Sequence, residues 1–92
     1  MTMQTILVRK AEIMAADMNG STVMMDIQTG KYYNLGEVGG VIWDLLEQPI
    51  AVETLIEKLL KKYSVPRGEC EKDTVQFLQQ LMSRGLVSEA EA

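Results

Sequence analysis

The sequence predicts an α+β fold, with a small antiparallel sheet followed by three helices. Three observations predict it. Apolar and polar residues alternate through the N-terminal third, broken by the turn pairs Asn19-Gly20 and Thr29-Gly30. After Gly36 the apolar spacing changes to the helical period. Pro49 and Pro66 then cut the remainder into three helical runs. Strands grouped before helices are the pattern of the α+β class. Ninety-two residues with no linker, repeat or low-complexity stretch make a single domain, 1–92.

Gln4 to Arg9 and Glu12 to Ala16 are the first strand pieces. Asp17-Met18-Asn19-Gly20 is a turn, because Asn-Gly accepts positive φ at both central positions. Thr22 to Ile27 is the next strand, with Val23, Met25 and Ile27 alternating with Met24 and Asp26. Met24 and Met25 face opposite sides, so only one belongs to the core. Gln28-Thr29-Gly30 closes a second hairpin. Lys31 to Leu35 is the third strand of that sheet, with Tyr33 and Leu35 on one face and Tyr32 and Asn34 on the other. Met1 is the initiator, and Met3 is expected to be disordered.

Gly36 ends the strand and is expected to cap a helix over Glu37 to Glu47. Val38, Val41, Ile42, Leu45 and Leu46 form its expected apolar face, with Trp43 off the centre. The second helix is expected over Val52 to Tyr63. Leu55, Ile56, Leu59, Leu60 and Tyr63 form its face, and Glu57 and Lys61 are spaced as an i,i+4 ion pair. The third runs from Glu69 to Arg84 and ends at Gly85, the residue that adopts a left-handed cap cheaply. Leu86 and Val87 return to the core, and Ser88 to Ala92 form a tail.

Composition excludes most chemistry. The chain has no histidine and one cysteine, so it has neither a Cys–His dyad nor a zinc ligand set. Asp26, Glu37 and Asp44 read as scattered carboxylates without pairing. Cys70 reads as a small buried hydrophobe. No metal, cofactor or catalytic residue is expected. A net charge of −4 argues against nucleic acid, which needs a basic face. Lys58, Lys61 and Lys62 sit at a helix end, where cations complement the macrodipole. No apolar run suits a membrane span or a signal peptide, so a cytoplasmic location is expected.

The third helix carries a second face. Val75, Leu78, Leu81 and Met82 cluster on the core side, and Asp73, Gln76, Gln80 and Arg84 on the opposite side. Phe77 stands on the shoulder between them. Taken alone, Phe77 covers the core edge. Beside a short strand with a free edge, it floors a groove rimmed by Gln76, Gln80 and Arg84. Such a groove accepts an extended peptide by strand addition, with Asp73 and Arg84 meeting peptide charges at its two ends.

The segments VMMDIQTGKYYNLGEVGGVIWDLL, LIEKLLKKYSV and DTVQFLQQLMSRGLV, in this order and spacing, resemble the PqqD-like family of precursor-peptide recognition elements. The resemblance spans about Val8 to Val87. Tyr63, Val65 and Asp73-Thr74 are similar in spacing to the stand-alone recognition proteins of lasso-peptide pathways. The resemblance implies a winged-helix-like fold. It implies that a precursor leader peptide adds beside Lys31, Tyr32, Tyr33, Asn34 and Leu35 and lies against Asp73, Gln76, Phe77, Gln80 and Arg84. It also implies partners: a cysteine leader peptidase and an ATP-dependent cyclase that do the chemistry. A PqqD-like chaperone for a radical-modified peptide and a winged-helix DNA-binding domain are the alternative readings. The chain departs from the family pattern at Gly36, Pro66 and Thr74.

Overall fold

The computed structural model describes residues 1–11 and 13–90. Glu12, the first residue of one expected strand, and Glu91 and Ala92 of the expected tail lie outside the described residues.

The expected hairpins form one three-stranded antiparallel sheet: β2 (Ile13–Met18), β3 (Ser21–Asp26) and β4 (Tyr32–Leu35), in the order β2-β3-β4. Asn19 and Gly20 form the two-residue turn, with φ of +57° and +85°. Gly30 closes the second hairpin at φ +73°. A second sheet was not foreseen. In it β1 (Ile6–Arg9) lies between β5 (Ile50–Ala51) and β6 (Val87–Glu89). The expected tail therefore begins as a strand. Met3 is likewise part of the fold: it packs on the core, and its carbonyl accepts the Glu53 N–H at 2.9 Å. Thr5 does the same for Val52 at 3.0 Å, so the N-terminal segment satisfies the first amides of the second helix.

The three helices are α1 (Gly36–Leu45), α2 (Val52–Lys62) and α3 (Arg67–Ser83). Helix α3 starts two residues earlier than expected, because Pro66 leaves the chain extended at φ −61° and its carbonyl accepts the Cys70 N–H at 3.0 Å. At the start of α1, Leu35 holds the cap position and Gly36 is the first helical residue, at φ +74°. Asn34 Oδ1 accepts the Gly36 N–H at 3.0 Å across this turn.

The buried face of α1 differs from the expected one. Gly39, Gly40, Ile42, Trp43 and Leu46 are buried, while Val38 is 47% exposed. The two glycines explain the rotation. A Cβ on Gly40 would collide with Thr22 Oγ1 and lie 2.7 Å from Thr22 Cβ, so β3 approaches the bare backbone of α1. That contact turns Trp43 into the core, where Arg9 stacks on its ring at 5.4 Å and donates to its carbonyl at 3.2 Å. Leu7, Met24, Leu55, Ile56, Leu59, Leu78, Leu81 and Leu86 complete the centre. Met24 is thus the core methionine of its pair, and Met25 is not.

Two charge expectations also change. Asp26 is not a surface carboxylate. It is buried, accepts from Lys10 Nζ at 3.2 Å, and accepts the Gln28 N–H at 2.9 Å. This pair joins the end of β1 to the end of β3. Glu57 and Lys61 do not form the expected ion pair. Among the described residues the ion pairs are Lys10–Asp26 and Arg67–Glu71.

Candidate peptide-binding site

Strand β4 pairs with β3 on one side only, through Val23–Asn34, Met24–Tyr33 and Met25–Tyr32. The Asp26 N–H donates to the Lys31 carbonyl at 2.9 Å, which sets the alternation of the ladder. Lys31 and Tyr33 therefore turn their main-chain groups to β3, and Tyr32 and Asn34 turn theirs to the free edge. Among the described residues no strand occupies that edge. Tyr32 is 73% exposed on the outer face, while Tyr33 is half-buried on the inner one. The register expected from the alternation is the register found.

The junction of β4 with α1 faces α3 across an apolar cleft of about 180 Å³. Leu35, Val38, Gly39, Ile42, Asp73, Thr74 and Phe77 line it. Phe77 lies directly on the bare backbone of α1: a Cβ on Gly39 would meet its Cζ at 3.0 Å and Leu35 Cβ at 3.0 Å. Phe77 thus floors the cleft rather than filling it. Val38, Asp73 and Thr74 also line a second cavity of about 210 Å³ toward the end of α2, with Leu59, Tyr63, Val65, Glu69 and Cys70. Shared lining makes the two a continuous apolar slot. The Tyr63 hydroxyl is buried there without a hydrogen-bond partner among the described residues. Cys70 is buried, with its Sγ 3.9 Å from Thr74 Oγ1.

At the other end, Arg84 stacks on the Tyr33 ring at 5.5 Å and bridges α3 to β4. The structure brings together Tyr33 with Arg84, and Leu35 with Asp73 and Phe77. It does not bring Gln76 to the slot: Gln76 lines a separate surface groove with Met3, Gly68, Glu71, Lys72, Val75 and Gln79. Gln80 is exposed, and its carbonyl accepts the Arg84 N–H at 3.2 Å. Lys31 is exposed at the turn, and its N–H donates to Thr29 Oγ1 at 3.3 Å.

The expected site residues omitted Val38, Thr74, Tyr63 and Val65. Helical spacing places Val38 in the core, because spacing does not show that two neighbouring glycines rotate the helix. Thr74 and Val65 gave no signal beyond the family spacing.

Among the described residues no group of three or more Cys, Asp or Glu side chains is placed to hold a metal ion. The slot can supply main-chain hydrogen bonds along one edge, apolar burial beside it, the carboxylates of Glu69 and Asp73, and the Arg84 cation beyond its Phe77 end.

Comparison with known proteins agrees with this geometry. Two solved structures are similar over nearly the whole chain. One, TbiB1 in complex with the TbiA(beta) leader peptide, is 29% identical, with a TM-score of 0.79 over 92% of this chain and 99% of that one. The other, a lasso peptide synthetase B1 complexed with the leader peptide, is 22% identical. It shares the fold, with a TM-score of 0.75 over 89% of this chain and 96% of that one. No curated protein matches the chain. The family model of coenzyme PQQ synthesis protein D matches residues 21–87, which span β3, β4, all three helices and the slot between them, and the chain belongs to the PqqD family.

Proposed function

We propose that this chain binds the leader segment of a ribosomally made precursor peptide and presents it to separate processing enzymes in lasso-peptide biosynthesis. The observation that carries this reading is the free edge of β4 beside an apolar slot on α3. The similarity to a leader-bound TbiB1 supports the guest's identity. The leader pairs with Tyr32 and Asn34 as an added strand, and every second side chain faces Leu35, Val38 and Phe77. Main-chain hydrogen bonds supply affinity with little sequence demand, and the slot supplies selection.

The chain acts as a non-catalytic adaptor. A cysteine leader peptidase cuts the held precursor, and an ATP-dependent cyclase closes the ring. Both partners act in the cytoplasm, where the precursor is made. Among the described residues no helix is long and apolar enough to cross a membrane.

The test is fluorescence anisotropy. The labelled probes are lasso-precursor leader peptides, the TbiA(beta) leader among them, and a scrambled leader serves as control. Saturable binding near a micromolar Kd, about −8 kcal/mol, is expected. A flat titration into the high-micromolar range rejects the reading.

A further inference from the structure

Arg84 is fixed more firmly than an exposed arginine usually is. Its backbone sits in the cap that ends α3: the Gly85 N–H donates to the Met82 carbonyl at 3.0 Å and the Leu86 N–H to the Leu81 carbonyl at 2.9 Å. Gly85 holds the left-handed turn at φ +72°. The guanidinium lies 5.5 Å from the centre of the Tyr33 ring. Stacking on a ring occupies the face of a guanidinium and leaves its rim of N–H donors open, in the fork that matches a carboxylate. Among the described residues no carboxylate forms an ion pair with Arg84. A cation is therefore held in place, without a counter-charge, on the strand whose edge is free.

We propose that Arg84, braced by Tyr33, selects an acidic side chain of the guest strand, set two residues from the apolar side chain that enters the Phe77 cleft. This rests on the peptide-binding reading above. The spacing follows from geometry. Phe77 and Arg84 are seven residues apart on α3, which at ~1.5 Å per residue is about 10 Å. A guest strand repeats the two-residue step on β4 from Tyr33, under Arg84, to Leu35, beside Phe77, because side chains two apart share a face at ~3.3 Å per residue and the arginine's length spans the remainder. Asp73 stands at the opposite end of the cleft and disfavours an acid there, so the two charges also fix which way round the guest lies. The protein's net charge of −4 does not attract an acidic peptide as a whole, so the acid is read locally. Bracing lowers the ordering cost of the contact, since the guanidinium is already placed.

The experiment is a yeast-displayed library of short, randomised peptides, sorted for binding to the full chain. Wild type is compared with Arg84→Gln, Arg84→Glu and Tyr33→Leu, each checked by thermal melting. Wild type is expected to enrich Asp or Glu at one position, two residues from an enriched large apolar residue. Arg84→Gln is expected to lose that enrichment, and Arg84→Glu to replace it with Lys or Arg. Tyr33→Leu is expected to weaken the acidic preference and keep the apolar one. In the best wild-type binder, exchanging the acid for its amide is expected to weaken binding roughly fivefold, with the loss shrinking at high salt. Apolar enrichment with no acidic preference, or an acidic preference unchanged in Arg84→Gln, overturns the role of Arg84 and leaves peptide binding standing. No enrichment of any sequence overturns both. Should Tyr33→Leu fail to fold, the two Arg84 variants decide the matter alone.

Discussion

The sheet β2-β3-β4 has two free edges, and they differ in everything but their unpaired main chain. Strand β4 is four residues long and opens onto a slot built by α1 and α3. Strand β2 is six residues long and carries Met14, Ala16 and Met18 on an exposed face. Among the described residues no helix packs closely against it to receive alternate side chains of an added strand. Open hydrogen-bonding groups are therefore only half of a recognition site. The other half is a packed element held at the right distance, and here two adjacent glycines set that distance.

Spoiling that spacing should break the comparison most severely. Gly40→Ala drives a methyl into Thr22 and is expected to cost about 1–3 kcal/mol of stability, read as a lower midpoint in urea unfolding. Peptide binding should fall in proportion to the loss of fold. Next in size is a change confined to the edge. Tyr32→Pro removes an outward N–H from β4 and is expected to weaken leader binding about tenfold, roughly 1.4 kcal/mol. Ala15→Pro makes the same change on β2 and should leave affinity unchanged. Equal losses from the two prolines would mean that both edges take the guest.

A smaller effect concerns the link between the sheets. Burial pushes the Asp26 carboxyl up. The Lys10 hydrogen bond, the Gln28 N–H, the Lys10 charge and the Thr29 N–H together bring it below its ordinary value of 3.8. A carboxyl lowered on folding adds stability that is complete above the unfolded value and lost as pH falls through the folded one. The melting temperature of wild type should therefore drop below about pH 4, and Asp26→Asn should flatten that acid limb. The smallest effect is expected at the exposed Arg67–Glu71 pair. Glu71→Gln should cost about 0.3–0.5 kcal/mol, at the edge of detection by urea unfolding.

Much of the fold was legible because its signals are local. Asn19-Gly20, Gly30 and Gly85 mark turns that only positive φ completes, and all four residues have it. Alternation in β4 placed Tyr33 inward and Tyr32 outward. The second sheet was not legible, because β5 and β6 are two and three residues long and carry no period of their own. Nor was the Lys10–Asp26 pair, whose members are 16 positions apart. In the slot, Leu35, Asp73 and Phe77 follow from strand alternation and helix phase. Val38 does not, because its exposure depends on where β3 touches α1. Gln76 shares a helical face with Arg84 in projection, yet lines a different groove, since the slot covers only one side of α3.

Gly39 and Gly40 divide two tasks between neighbouring residues. Gly40 takes the hairpin and Gly39 takes Phe77. The gap between the strand and the far helix thus works as a caliper whose jaws rest on adjoining links of the backbone. A methyl at the Gly39 jaw would press at once on Phe77 and on Leu35 at the end of β4, each 3.0 Å away, so the opening of the slot is set by a residue with no side chain at all.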